Sequence, residues 1–177
     1  MYMMPLALGL ACSARVSFWR GAGDEARARA ALATGLGVTT GLAILVAAVC
    51  WLLRLQIAQL YTSNPELAAI TAALLAWVAI YHPADAIQAM SIFALRSYRI
   101  TVAPLLIYTV LLWGIGLGGG YWLCYYGLPG IAAMNTPAAF WIAGAFGLVL
   151  TAILFVSLLW WAVKQVKREQ RRETAKV

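Results

Sequence analysis

The residues with the most chemistry to offer in this 177-residue sequence lie in one stretch, Trp77-Val-Ala-Ile-Tyr81-His82-Pro83-Ala-Asp85-Ala-Ile-Gln88. Positions 77, 81, 85 and 88 are separated by 4, 4 and 3, so an α-helix puts Trp77, Tyr81, Asp85 and Gln88 on one face. That face carries an indole, a phenol, a carboxylate and an amide. Asp85 is the only acidic residue set within an apolar run rather than at its end. A carboxylate at membrane depth costs about 2.5–3.5 kcal/mol on insertion scales, so it turns to a bundle interior or a water-filled cavity. There a carboxylate can take up a proton or hold a cation reversibly, which is the chemistry of ion coupling. Asp85 is thus the candidate cation-coupling group, and the one candidate ligand for Na⁺; Tyr81 assists it, and Gln88 and Trp77 line the cavity. Pro83 lacks the N–H that would bond the carbonyl of Ala79, and its ring crowds that turn. A kink is expected there, with the freed carbonyl as a further cation ligand. His82, the only histidine, lies off this face and reads as a packing or hydrogen-bonding residue. The rival reading makes Asp85 structural, bonded or ion-paired to a neighbouring helix.

These side chains need a frame that crosses a membrane. With 64% hydrophobic and 11% charged residues, the composition falls outside that of soluble globular domains. The apolar residues come in blocks of about 20, the helix length that crosses a ~30 Å hydrocarbon layer. The expected fold is an all-α polytopic bundle with four full spans near 31–53, 66–95, 101–124 and 139–162. A shorter apolar run, 1–14, reaches only about 21 Å as a helix and reads as a partial span. A rival reading as a secretory signal, or a lipoprotein signal around Cys12, is disfavoured because the first positive charge, Arg15, follows the run instead of preceding it.

The net charge of +7 could suggest nucleic acid, but the placement of the charges points to lipid. Twelve of the thirteen basic residues fall in alternate loops: Arg15, Arg20, Arg27 and Arg29, then Arg96 and Arg99, then six from Lys164 onward. This positive-inside pattern puts 15–30, 96–100 and the C-terminus in the cytoplasm, with 164–177 as a basic tail facing lipid headgroups. Segment 15–30 reads as a short surface helix with Asp24 and Glu25 near its start, where the helix dipole favours anions. The outer loop from Arg54 ends in the turn cluster Tyr61-Thr-Ser-Asn64-Pro65, with Glu66 opening the next helix. Gly35, Gly37 and Gly41 mark span 31–53 for close helix packing, and the glycines of 114–120 mark a flexible or closely packed stretch of helix. Trp113, Tyr121, Trp122, Tyr125 and Tyr126 near one end, with Trp160 and Trp161 near another, read as interfacial anchors. Cys12, Cys50 and Cys124 have no paired spacing and read as buried small hydrophobes.

Several segments resemble the NorM-like branch of the MATE (multidrug and toxic compound extrusion) family. Tyr81-His-Pro-Ala-Asp85-Ala-Ile-Gln88 with Leu95-Arg96-Ser-Tyr98-Arg99 is similar to the tenth helix and the loop after it. Pro5 to Val16 resembles the end of the eighth helix, Ile57 to Glu66 the outer loop before the tenth, and Phe140-Trp141-Ile142 the start of the twelfth. The four segments occur in the family's order. The resemblance implies a twelve-helix fold of two six-helix lobes, with residues 1–163 supplying the last five helices, the first of them partial. It implies that Asp85 belongs to a cation site in the C-terminal lobe with Tyr81 beside it. A glutamate of the seventh helix would share that site; that helix and the N-terminal lobe are the partners implied. The sequence departs from the family at Ser17, at Arg96-Ser-Tyr98-Arg99-Ile100, and at Gly116 to Tyr121, where a family proline is replaced.

The function expected is part of a multi-pass inner-membrane antiporter that exports organic cations or other amphipathic compounds in exchange for H⁺ or Na⁺. No enzyme chemistry and no cofactor beyond the coupling ion are expected, and membrane lipid and drug-like substrates are the small-molecule partners. One alternative is a lipid-linked oligosaccharide flippase of the same superfamily, which would favour cationic residues in a central cavity; these spans carry almost none. Another is a non-transporting fragment or accessory subunit.

Overall fold

The computed structural model describes residues 2–174. Among these the chain forms an all-α bundle, and four helices are long and apolar enough to cross a membrane: Glu25–Leu52, Pro65–Ser97, Val102–Tyr125 and Ala138–Glu169. Large apolar side chains such as Ile44, Leu45, Val110, Ile153 and Trp160 stand exposed along them. Water would not tolerate so continuous an apolar surface, whereas lipid solvates it.

Helix α1 (Met3–Gly21) extends the first apolar run past Arg15 and Arg20, so the 1–14 boundary is corrected outward. Its 19 residues span about 28 Å, nearly a full crossing. The charged residues expected in a loop instead occupy its last two turns, where long arginine side chains can reach polar surroundings. α1 stops where Gly23, at φ +77°, takes the left-handed conformation. The N–H of Asp24 then bonds Trp19 O and that of Gly23 bonds Arg20 O, the paired bonds that close a helix end. The next residue restarts the helix. Asp24 caps α2 (Glu25–Leu52) by accepting from the N–H of Arg27 (2.9 Å). The separate surface helix expected within 15–30 is therefore not present: its acids begin α2 itself.

The outer loop is also more ordered than its polar residues suggest. Arg54–Tyr61 forms the short helix α3 before Asn64 caps α4 (Pro65–Ser97) at the N–H groups of Glu66 and Leu67. α4 is the centre of the bundle, with α1, α2, α3 and α7 (Ala138–Thr174) all packed against it. α7 runs on as helix through the basic segment from Lys164, so the tail is no separate element up to Thr174; residues 175–177 lie outside the described residues.

Two contacts fix the antiparallel register of α2 on α4. Gly35 of α2 lies against Met90, and Cys50 donates weakly to the carbonyl of Leu75. A Cβ on Gly35 would sit 2.5 Å from Cys12 Sγ and 2.6 Å from Met90 Cε, so α1, α2 and α4 converge there. Gly37 and Gly41, expected to do the same, have nothing among the described residues within 4 Å of the point a Cβ would occupy. α1 lies parallel to α4, with Gly9 under the Phe93 ring and Ser13 bonded to Ser97 (3.0 Å). The main core occupies the basic end of the bundle and joins Val16, Leu32, Met90, Leu95, Phe155 and Leu159.

Span 102–125 begins and ends as α-helix (α5, Val102–Tyr108; α6, Gly120–Tyr125), but Thr109–Gly119 between them is π-helical. A π-turn bonds each N–H five residues back and widens the coil. Leu111 and Gly116, five apart, accordingly face α7 together at Gly147 and Gly144. Gly116 and Gly120 are the closely packed members of the glycine run, whereas Gly114 meets nothing. Trp113 falls midway along this span, away from the end where an interfacial anchor was expected; Tyr121, Trp122, Tyr125 and Tyr126 are exposed near the end. The three cysteines are free and buried, as their apolar settings require.

Candidate functional site

α4 positions the site. Its lower part, from Ala86 to Leu95, is almost continuously buried, while from Pro65 to Tyr81 only Ala68, Ala72 and Ala79 are. Asp85 stands half-buried at the junction between the two, at the top of the packed core. Twelve residues separate it from Ser97, about 18 Å along the axis, which puts it near the middle of the span.

The structure brings Asp85 and Gln88 together: Gln88 Nε2 donates to Asp85 Oδ1 at 3.2 Å. Gln88 is only 4% exposed and also lines a cavity of about 480 Å³ with Tyr2, Arg96, Thr101 and Tyr108. Tyr81, one turn above Asp85, stacks on Trp141 of α7 with ring centroids 6.4 Å apart and planes 24° from parallel. Its ring is therefore held by an aromatic partner on another helix. Trp77 continues the face two turns above Asp85 and is half-buried. Pro83 stands inside α4, which stays helical on both sides of it, and the Ala79 carbonyl it faces is left without an N–H donor from that position.

Among the described residues no ion pair reaches Asp85; the two ion pairs present join Arg20 to Glu25 and Arg27 to Asp24, at the basic end. An ion-paired structural role for Asp85 thus finds no partner within them. His82 is buried to 2% exposure, and among the described residues its Nε2 has no hydrogen-bond partner. Its burial fits the packing role read from sequence. Among the described residues no three His, Cys, Asp or Glu side chains gather as a multidentate metal centre. The group that contacts the Asp85 carboxylate is the Gln88 amide nitrogen, and a carboxylate so placed can take up a proton or a hard monovalent cation.

Sequence reasoning did not find Trp141, Tyr108 or the cavity below Gln88. Trp141 is 60 residues from its partner, and no local periodicity records such a pairing.

Comparison with known proteins bears on the chain as a whole. The family model described as MatE matches residues 1–122. A protein of Aromatoleum aromaticum (strain DSM 19018 / LMG 30748 / EbN1), described as a probable multidrug resistance protein NorM, is 37% identical over 158 residues. That alignment covers 89% of this chain and 34% of the relative, so the chain spans about a third of the length of this curated relative.

Proposed function

Because the chain belongs to the MATE family, we propose that it forms the ion-coupling part of the C-terminal lobe of a secondary multidrug efflux antiporter. Asp85 binds the coupling ion, H⁺ or Na⁺, and organic cations or other amphipathic compounds leave in exchange. The observation that carries this reading is a half-buried carboxylate near mid-span that has an amide donor and no cationic partner among the described residues. Such a group is stable when it is protonated or holds a cation, and unstable as a bare charge. Binding and release of the ion therefore change the charge of the site, which is what couples one flux to another.

The neighbours have distinct tasks. Gln88 orients the carboxylate through its 3.2 Å hydrogen bond. Tyr81, fixed by stacking on Trp141, presents its phenol from the turn above. Trp77 lines the approach, and the carbonyl of Ala79, opposite Pro83, supplies a further oxygen. Alternating access would rock this lobe against its counterpart around such mid-membrane sites. The charge pattern supports a multi-pass protein of the inner membrane with the basic loops and the C-terminus in the cytoplasm.

The test is export driven by an imposed proton or sodium gradient, measured in vesicles for a transporter that carries this segment. Asp85→Asn keeps size and hydrogen bonding but cannot bind the ion by charge, and coupled export is expected to fall to background. Undiminished gradient-driven export in that variant would refute the role given to Asp85.

A further inference from the structure

The basic end holds a feature that ion coupling does not use. α2 and α7 both pack on α4 and leave between them a furrow of about 440 Å³, lined by Arg29, Leu32 and Leu36 from one side and Leu159, Trp160 and Val163 from the other. The furrow is apolar except at one end. Ser157 also lines it, but its hydroxyl donates to the carbonyl of Ile153 at 2.7 Å and is satisfied within its own helix. Arg29 lines the polar end. Lys164 lies outside the lining but follows Val163, and its ammonium sits 3.3 Å from the centroid of the lining Trp160 ring. The acids of the adjoining turn are engaged elsewhere, Asp24 with Arg27 and Glu25 with Arg20. Among the described residues Arg29 has no ion-pair partner.

We propose that this furrow binds an anionic phospholipid, its phosphate between Arg29 and Lys164 and one acyl chain along Leu32, Leu36, Leu159 and Val163. The shape is that of an amphiphile: two cations at the head, then about 10 Å of apolar wall from Arg29 to Leu36. A guanidinium offers a phosphate two parallel donors, and an ammonium adds a second point charge. Trp160, 64% exposed beside them, belongs at headgroup depth. On the orientation proposed above, this end faces the leaflet in which anionic lipid attracts basic residues. Another membrane helix could fill the apolar wall, but it would leave the two cations without a counter-charge.

Native mass spectrometry of the 177-residue chain, released from micelles doped with equal phosphatidylglycerol and phosphatidylcholine, tests this. The chain is expected to retain phosphatidylglycerol several-fold over phosphatidylcholine, and added inorganic phosphate is expected not to compete. Each cation near a lipid surface strengthens attraction about fivefold, so Arg29→Gln with Lys164→Gln should lower retention by roughly thirtyfold, and Arg15→Gln should leave it unchanged. Ala33→Trp, which fills the furrow and keeps both cations, should lower it as well. Equal retention of the two lipids, displacement by phosphate alone, or full retention in Ala33→Trp would overturn the proposal. Export in the Asp85→Asn transporter is read independently, so failure of the lipid site and failure of the ion site cannot be confused.

Discussion

The crossing at Gly35 makes a quantitative demand. A methyl group there would meet Cys12 Sγ at 2.5 Å, Met90 Cε at 2.6 Å and Cys12 Cβ at 3.0 Å, where carbon contacts normally settle at about 3.5–4.0 Å. Met90 can swing its terminal methyl aside, but Cys12 Cβ is tied to the α1 backbone, so α1 must withdraw by about 0.5–1 Å to restore normal contact. Overpacking of this kind costs about 1–3 kcal/mol, against about 1 kcal/mol that Gly→Ala returns as helix propensity. Gly35→Ala is therefore expected to destabilise the chain by about 1 kcal/mol. Gly41, six residues on in the same helix, has nothing within 4 Å among the described residues, so Gly41→Ala should stabilise by up to about 1 kcal/mol. The contrast, about 2 kcal/mol between chemically identical substitutions, is read from denaturant midpoints in mixed micelles by far-ultraviolet circular dichroism. Combining Gly35→Ala with Cys12→Gly should recover most of the loss. Equal midpoints for Gly35→Ala and Gly41→Ala would show that the three helices do not meet as described.

Other perturbations give sharper signs than sizes. Arg20 joins α1 to α2 through Glu25 (2.9 Å) and to the end of α4 through Ser97 O and the Tyr98 ring (4.3 Å), so Arg20→Ala strands Glu25 at 9% exposure. A loss of about 2 kcal/mol in the same unfolding assay is expected, largely relieved by adding Glu25→Gln. Arg99 holds φ +60° just past the end of α4, which costs a non-glycine residue about 1 kcal/mol; Arg99→Gly should raise the midpoint slightly, and Arg99→Val should lower it. Burial, reinforced by Glu25, pushes the Tyr98 phenol above its ordinary value, and among the described residues its hydroxyl has no partner. The stabilisation from that neutral phenol is complete below the ordinary tyrosine value of about 10 and is lost as pH rises through the higher folded value. Tyr98→Phe should therefore flatten the fall in stability above pH 10 while changing little at neutral pH.

Much of this was legible because the relevant physics is local. Spans follow from blocks of apolar residues, and the shared face of Asp85 and Gln88 follows from a spacing of three. Helix ends were harder to read. Arg15 and Arg20 suggested a loop, yet long basic side chains sit comfortably in the last turns of a membrane helix, and the stop is set by Gly23 and Asp24 instead. The residues of α3 are too polar on average to announce a helix beside a turn cluster. The π-helical segment left only a run of glycines as a trace, because a change from four-residue to five-residue bonding has no strong side-chain signature. Tyr81 against Trp141 depends on how α4 and α7 align, which no single segment encodes.

The central position of α4 also constrains the order in which the chain can become itself. α1 and α2 leave the ribosome before α4 and have each other, but the contacts that Gly9, Ser13 and Gly35 make with α4 wait for residues 55 to 84 positions further along the chain. Until then Gly35 and Gly9 lack the Met90 and Phe93 side chains that pack against them in the folded chain. Contacts such as Ser13 with Ser97 span 84 residues, so assembly is delayed by synthesis and not by helix formation, which is fast. Once α4 enters the membrane, four helices gain their common axis together, and α7 completes a body whose centre is already in place.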